Sequence, residues 1–336
     1  MDIQNIINST ENAMNSRKMM RVRKVLSQIG KKIVRAVFLL GFSFIILYPI
    51  FAMVSKAFMQ QGDIFDNTVI WIPKHFTLDN IKTAASAMNY KESFINSLII
   101  SVSSTFLQTV MCMSVGYGFA RYEFPGRGVL FIFVLATFLI PPQVLMIPLF
   151  LEFRNFDFLG LVSLITGSPV SLLNTNWPYI LLAATCQGIR NGLFIFMFRQ
   201  CFRAMPRETE EAAMVDGAGA FRTFYRIMVP NAVTMIATVA LFGFVWQWND
   251  TFYSGLFSNN ANTLSSAYSS FTTKLGLMAT EAQESAGILA YDLANTRVVS
   301  LLKNSAVFLM MTPLIAVYLV AQRSFVESVE RSGLVG

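Results

Sequence analysis

Six apolar runs, 36–55, 93–120, 128–151, 178–198, 227–249 and 304–322, alternate with polar connections along the chain. Each is long enough to cross a bilayer core, which takes about 20 apolar residues in a helix. With no water at that depth, each run has to satisfy its backbone internally. The pattern therefore predicts an all-α, polytopic membrane protein with six transmembrane helices. It divides the chain into a basic leader (1–35), a first transmembrane helix (36–58), an outer segment (59–90), a core of five further spans (91–325) and a tail (326–336).

The connections carry their own signals. In LIPPQVLMIPLF, Pro141, Pro142 and Pro148 bend or break the third span, because proline removes a helical hydrogen bond and presses on the preceding turn. Either a packing kink or a pathway wall accounts for such a break, since freed carbonyls need protein or water beside them. The short, turn-rich GYGFARYEFPGRG (116–128) makes the second and third spans antiparallel neighbours. Within 59–90, Pro73 stops any helix, and Thr77 or Asp79 can cap a short new one. Gly167 and Pro169 interrupt 152–177, which reads as a hairpin or an interfacial helix. Residues 250–303 form a long outer loop with amphipathic pieces such as SSAYSSFTTKLGLM, large enough to touch a soluble partner.

Composition agrees with a lipid environment: 54% of residues are hydrophobic and only 13% charged, too few for a water-soluble surface. The net charge of +7 is placed for a membrane and not for nucleic acid. Cations crowd the leader from Arg17 to Arg35 and recur between the fourth and fifth runs as Arg199, Arg203, Arg207, Arg222 and Arg226. With Arg121, Arg127, Arg323 and Arg331, 17 of the 26 Lys and Arg lie on one side. The positive-inside rule makes that side cytoplasmic, together with both termini. The first apolar run begins only after 35 residues and reads as an uncleaved anchor behind a flexible leader. Cys112, Cys186 and Cys201 have no metal-binding spacing and His75 is the lone histidine, so no metal site is expected.

One connection is unlike its surroundings. EEAAMVDGAGAFRTFYRIMVP (210–230) mixes acids, small residues, arginines and aromatics between two apolar runs, on the cytoplasmic side. Pro206 can start a helix whose first turns hold Glu208, Glu210 and Glu211, where carboxylates favour the positive end of the dipole. Ala212 and Ala213 keep that helix slim, and Gly217 permits the positive φ that ends it. Phe221, Phe224, Tyr225 and Met228 then recur at helical spacing. A short helical hairpin results, and periodicity alone leaves it either docking another protein or packing beneath the spans.

The spacing of Glu211, Ala212, Ala213, Gly217, Ile227 and Pro230 resembles the EAA loop of permease subunits of bacterial ATP-binding-cassette importers, with Val229 where leucine is usual. HFTLDNIK, FINSLIIS, GYGFARYEFPGRG, IPPQVLMIPLF, FIFMFRQCFRAMPRE, FVWQWND and QRSFVES are similar, in the same order, to segments of MalG-like carbohydrate importer permeases. The resemblance implies a type I importer permease fold in the bacterial cytoplasmic (inner) membrane, with a coupling loop at 204–230. It implies that Glu208, Glu211, Ala212, Ala213, Asp216, Gly217, Phe221, Ile227 and Pro230 form the ATPase-coupling site. Glu211 would pair with a cation of the ATPase, and the small residues would allow close seating. Gln322, Phe325 and Glu327 of the tail would also touch the ATPase. Implied partners are a second, MalF-like permease subunit, an ATPase dimer that holds the ATP and magnesium, and a solute-binding protein on the other side. A sugar is the implied cargo.

The residues agree with an energy source elsewhere, and no cofactor is expected on this chain. Its only Gly-Lys, Gly30-Lys31, lacks the remaining features of a phosphate loop. An ion-coupled secondary transporter is the rival reading, but the six runs lack the carboxylates such proteins keep at membrane depth. An enzyme would need a paired catalytic set, and none is present in the runs. Arg190, the one charge inside the six runs, either lines a pathway for sugar or bonds to carbonyls near Gly188 and Gly192. Trp246 and Trp248, followed by Asn249, either stack on sugar or anchor the chain at the membrane interface. The resemblance implies that selection of the sugar is shared with the binding protein and the second permease subunit.

Overall fold

The computed structural model describes residues 3–258, 263–277 and 295–333, with side chains for 28–258, 263–277 and 295–322. Those residues are helical apart from connections and two isolated β-bridges, Met59 with Phe76 and Phe156 with Val170. α1 (Ile3–Ala57) is one helix of 55 residues, so the leader expected to be flexible is helical backbone from Ile3 onward. No proline precedes Pro49, and a helix seeded by the apolar run can propagate backwards at little cost.

Among the described residues, three helices are individually long and apolar enough to cross a membrane: Gln28–Ala57, Tyr90–Arg121 and Thr296–Gln322. Two bent pairs raise the number to five. In the first, α4 (Arg127–Leu139) meets the stretch Pro142–Arg154, which includes α5 (Met146–Arg154), at 96°, as the prolines demand. In the second, Ala220–Asn231 meets Val233–Trp248 at 76°. The expected fourth span is not one helix. α7 (Trp177–Ala184) and α8 (Asn191–Ala204) are separated at 185–190, where Cys186 (φ 58°) and Arg190 (φ 62°) turn left-handed. Gln187 and the Arg190 guanidinium would otherwise have to sit within an unbroken apolar helix, which is costly in lipid.

α3 (Tyr90–Arg121) lies at the centre, packed by α7, α8 and α12 (Val233–Trp248). Its buried face is polar: Ser97, Ser101, Ser104, Thr105 and Gln108 are all enclosed. Small hydroxyl residues let neighbouring helices approach closely, as at helix interfaces in membranes. Gln108 also closes the break between α7 and α8. Its amide donates to the Ile189 carbonyl at 2.5 Å, and it is hydrogen-bonded to the Asn191 side chain. Replacing Gln108 by Leu would leave that half-buried carbonyl without its donor, a loss of about 1 kcal/mol. Thermal unfolding of the detergent-solubilised chain should show a lowered midpoint for Gln108→Leu, and an unchanged one would remove the tether.

Outside the spans, α2 (Asp79–Ala87) starts beside Thr77, whose hydroxyl accepts the Asp79 N–H at 3.1 Å. Asp63 is buried in the same segment and accepts from the backbone N–H of His75 at 2.7 Å, with the His75 ring 2.8 Å away. Those hydrogen bonds hold its carboxyl below the usual carboxylate range. The stretch 152–177 is a β-bridged hairpin carrying α6 (Leu161–Thr166), in line with expectation. The long loop is more structured than its composition suggests: α13 (Phe252–Phe257) and α14 (Leu264–Ser269) form, and residues 271–277 are helical. Leu264, Ala267, Phe271 and Leu275 pack into the core beside Trp248. The remainder of that loop, at 259–262 and 278–294, lies outside the described residues. α15 (Thr296–Gly333) begins before the apolar run at 304 and continues into the tail as far as Gly333.

Candidate functional site: the helical hairpin at 204–230

The hairpin forms where acids, alanines and a glycine dictate it. α9 (Glu208–Val215) opens with Glu208, Glu210 and Glu211 in its first turn, next to the uncompensated N–H groups. It ends at Asp216, and Gly217 adopts φ +79°, a value that strains residues with a side chain. α10 (Ala220–Thr223) continues into a π-helical turn, Phe224–Met228, and then α11 (Val229–Asn231). The widening has a local cause. Pro230 has no N–H and crowds the carbonyl four residues earlier, while the Asn231 amide takes up the Ile227 carbonyl at 2.8 Å.

One side of the hairpin is bolted to the spans. Arg121, the last residue of α3, forms an ion pair with Glu210 at 2.5 Å, with both side chains no more than 10% exposed. The Arg121 Nη2 donates to the Met205 carbonyl at 2.9 Å, and the Tyr117 hydroxyl donates to Glu210 at 3.5 Å. Met228 is buried, Phe224 and Ile227 are half-buried against the main core, and Phe224 lies 4.6 Å from the Tyr117 ring. The other side is open. Val215 is 87% and Phe221 81% exposed, with Met214 and Tyr225 beside them. These four side chains make an exposed apolar patch beside the charged residues of the connection.

The expected site residues therefore divide. Glu208, Glu211, Ala212, Asp216, Gly217, Phe221 and Pro230 are exposed, and Glu211 has no ion-pair partner among the described residues. Ala213 is buried within the chain, so Ala212 is the alanine that an outside surface can meet. Nothing lies within 4 Å of a Cβ built on Gly217, so close seating there would come from a partner. Gln322 is exposed near the end of α15, while the side chains of Phe325 and Glu327 lie outside the described residues. The aromatic-face expectation for Trp248 is corrected. Trp248 is 1% exposed, stacks on Phe244 and donates to the Met310 carbonyl at 3.1 Å, so a sugar cannot reach its ring. Packing explains the difference: 263–277 folds back over it. Asn249 is exposed and donates to the Val245 carbonyl at 2.8 Å. Trp246 is half-buried between Phe194 and Phe242, with the Arg190 guanidinium 5.8 Å from its ring.

Sequence reasoning missed Glu210 and Arg121 as a pair, although both stood in quoted segments. The signal was available as one cation at the end of the second span and one acid beside Glu211. No group of acids, histidines and cysteines able to hold a metal occurs among the described residues.

Comparison with known proteins gives the class. Residues 108–331 match the family of binding-protein-dependent transport system inner membrane components, and the chain belongs to that family. It is a multi-pass membrane transport component and, like its family, not an enzyme. It is 31% identical over 211 residues to the diacetylchitobiose uptake system permease protein NgcG of Streptomyces coelicolor, covering 63% of this chain and 64% of NgcG. That match spans less than two thirds of NgcG. It is 28% identical over 215 residues to the probable starch degradation products transport system permease protein AmyC of Thermoanaerobacterium thermosulfurigenes, covering 64% and 72%. The fold is similar to a chain of a bacterial ABC transporter involved in the import of the acidic polysaccharide alginate. There the TM-score is 0.67 at 22% identity, covering 87% of this chain and 95% of that one.

Proposed function

We propose that this chain is the membrane-spanning subunit of an ATP-driven, binding-protein-dependent importer of sugars or oligosaccharides, coupled to a separate ATPase through residues 204–230. The observation that carries the reading is a hairpin apolar and open on one side and locked to α3 on the other by Arg121 and Glu210. Such a part receives force and passes it on. The names of NgcG and AmyC as sugar permeases support the cargo class.

The working arrangement has six crossings, two of them bent and one broken at 185–190. Both termini and the hairpin face the cytoplasm, and the membrane is the bacterial cytoplasmic one. The partners are a second, MalF-like permease subunit, an ATPase dimer that carries ATP and magnesium, and a solute-binding protein outside. Glu211, Ala212, Gly217 and Phe221 meet the ATPase, and the tail with Gln322, Phe325 and Glu327 runs beside it. The 250–303 loop faces the binding protein. Nucleotide-driven closure of the ATPase then moves the hairpin as a rigid body, and the spans alternate their access. Gentle purification of the tagged chain from its host tests the reading: an ATPase and a second permease subunit should accompany it. Recovery of the chain free of any ATPase under conditions that preserve transport would overturn it.

A further inference from the structure

Three helices of similar length, α4, α8 and α12, end where the backbone turns irregular. At about 1.5 Å per residue, α4 is about 20 Å long, α8 about 21 Å and α12 about 24 Å. Beside those ends the chain leaves the helix at 140–141, 185–190 and 249–251. Arg190, at the start of α8, reaches one residue of each of the other two helices. The Arg190 guanidinium sits 5.2 Å from the Phe138 ring centroid and 5.8 Å from that of Trp246. Gly192 brings the elements together, because a Cβ at that position would come 2.6 Å from the Val134 carbonyl oxygen.

Irregular backbone inside a membrane span does not face lipid; it lines water or is covered by protein. Arg190 is exposed and has no carboxylate partner among the described residues. The rings of Phe138 and Trp246 support the guanidinium without using its N–H groups, since a cation–π contact draws on the ring face. The amino-terminal end of α8 adds its partial positive charge at the same place. Gln187, exposed in the 185–190 break, and Gln143, exposed in the short helical turn after the 140–141 break, offer uncharged amides of the kind that pair with hydroxyl groups. A fixed cation, an aromatic backing and neutral amides suit a ligand bearing both a carboxylate and hydroxyls.

Resting on the reading of this chain as a sugar permease, we propose that Arg190, backed by Phe138 and Trp246, is a subsite for a carboxylate on the cargo. The transported molecule is then an acidic, uronate-bearing oligosaccharide. The test reconstitutes the complete importer in vesicles with ATP inside and its binding protein outside. The probes are a galacturonate trisaccharide and its carboxyl-reduced counterpart. Wild type should import the acidic probe, and Arg190→Gln should lower that uptake at least tenfold while binding-protein-stimulated ATP hydrolysis persists. Arg190→Lys, which keeps the charge but not the fork, should retain part of it. Unchanged acidic uptake in Arg190→Gln, or a wild type that imports only the reduced probe, would overturn the subsite. So would loss of ATP hydrolysis together with uptake, which would make Arg190 a contact to a partner subunit. Failure of wild type to import either probe would overturn the acidic-cargo assignment, whereas absence of ATP-dependent import of any oligosaccharide would overturn the permease reading beneath it.

Discussion

Glu210→Ala is expected to abolish most import. The substitution leaves the Arg121 guanidinium buried with only the Met205 carbonyl for company, where the native pair stands at 2.5 Å. Breaking one partner of a buried ion pair typically costs about 3–5 kcal/mol, because the remaining charge is uncompensated. Here that cost falls on the seating of the hairpin against α3. Reconstituted uptake should fall at least tenfold while the chain still inserts. Because the contact is specific, Arg121→Glu combined with Glu210→Arg should recover part of the activity, and Arg121→Ala alone should resemble Glu210→Ala. Wild-type uptake in Glu210→Ala would show that force does not pass through this pair.

Gly217→Val carries the second large effect, by a different route. With φ at +79°, a β-branched residue strains the backbone by about 1–3 kcal/mol. The added atoms have free space within this chain, so any steric loss belongs to the surface that seats there. Insertion should be intact, while both retention of the ATPase through purification and uptake collapse. Gly217→Asn makes the contrast, since asparagine tolerates the left-handed region; it should keep more activity than valine. Equal activity of Gly217→Val and wild type would remove the docking role of this turn.

The apolar runs were enough to foresee an all-helical membrane protein, because in lipid the backbone leaves few alternatives. The proline-driven break after Leu139 and the left-handed Gly217 were legible for the same kind of reason, each being forced by one residue's covalent geometry. The break at 185–190 was not, since no proline marks it. It depends on Gln108, some 80 residues away, supplying a donor to Ile189. The burial of Trp248 was not legible, because nothing beside it in the chain announces that 263–277 folds over it. Glu210 looked like one of three interchangeable acids, and only the fold reveals which of them faces Arg121. Local constraints can be read along a chain; pairings across it emerge once the helices have packed.

The central claim is that a hairpin gripped by an ATP-hydrolysing neighbour moves this membrane subunit. Uptake of labelled sugar into vesicles holding the assembled importer tests it most directly, with nucleotide sealed inside and the binding protein outside. The account predicts accumulation that requires both hydrolysable ATP and the binding protein, and that is lost in Glu210→Ala. Accumulation by this chain alone, without nucleotide and driven by an imposed ion gradient, would contradict it.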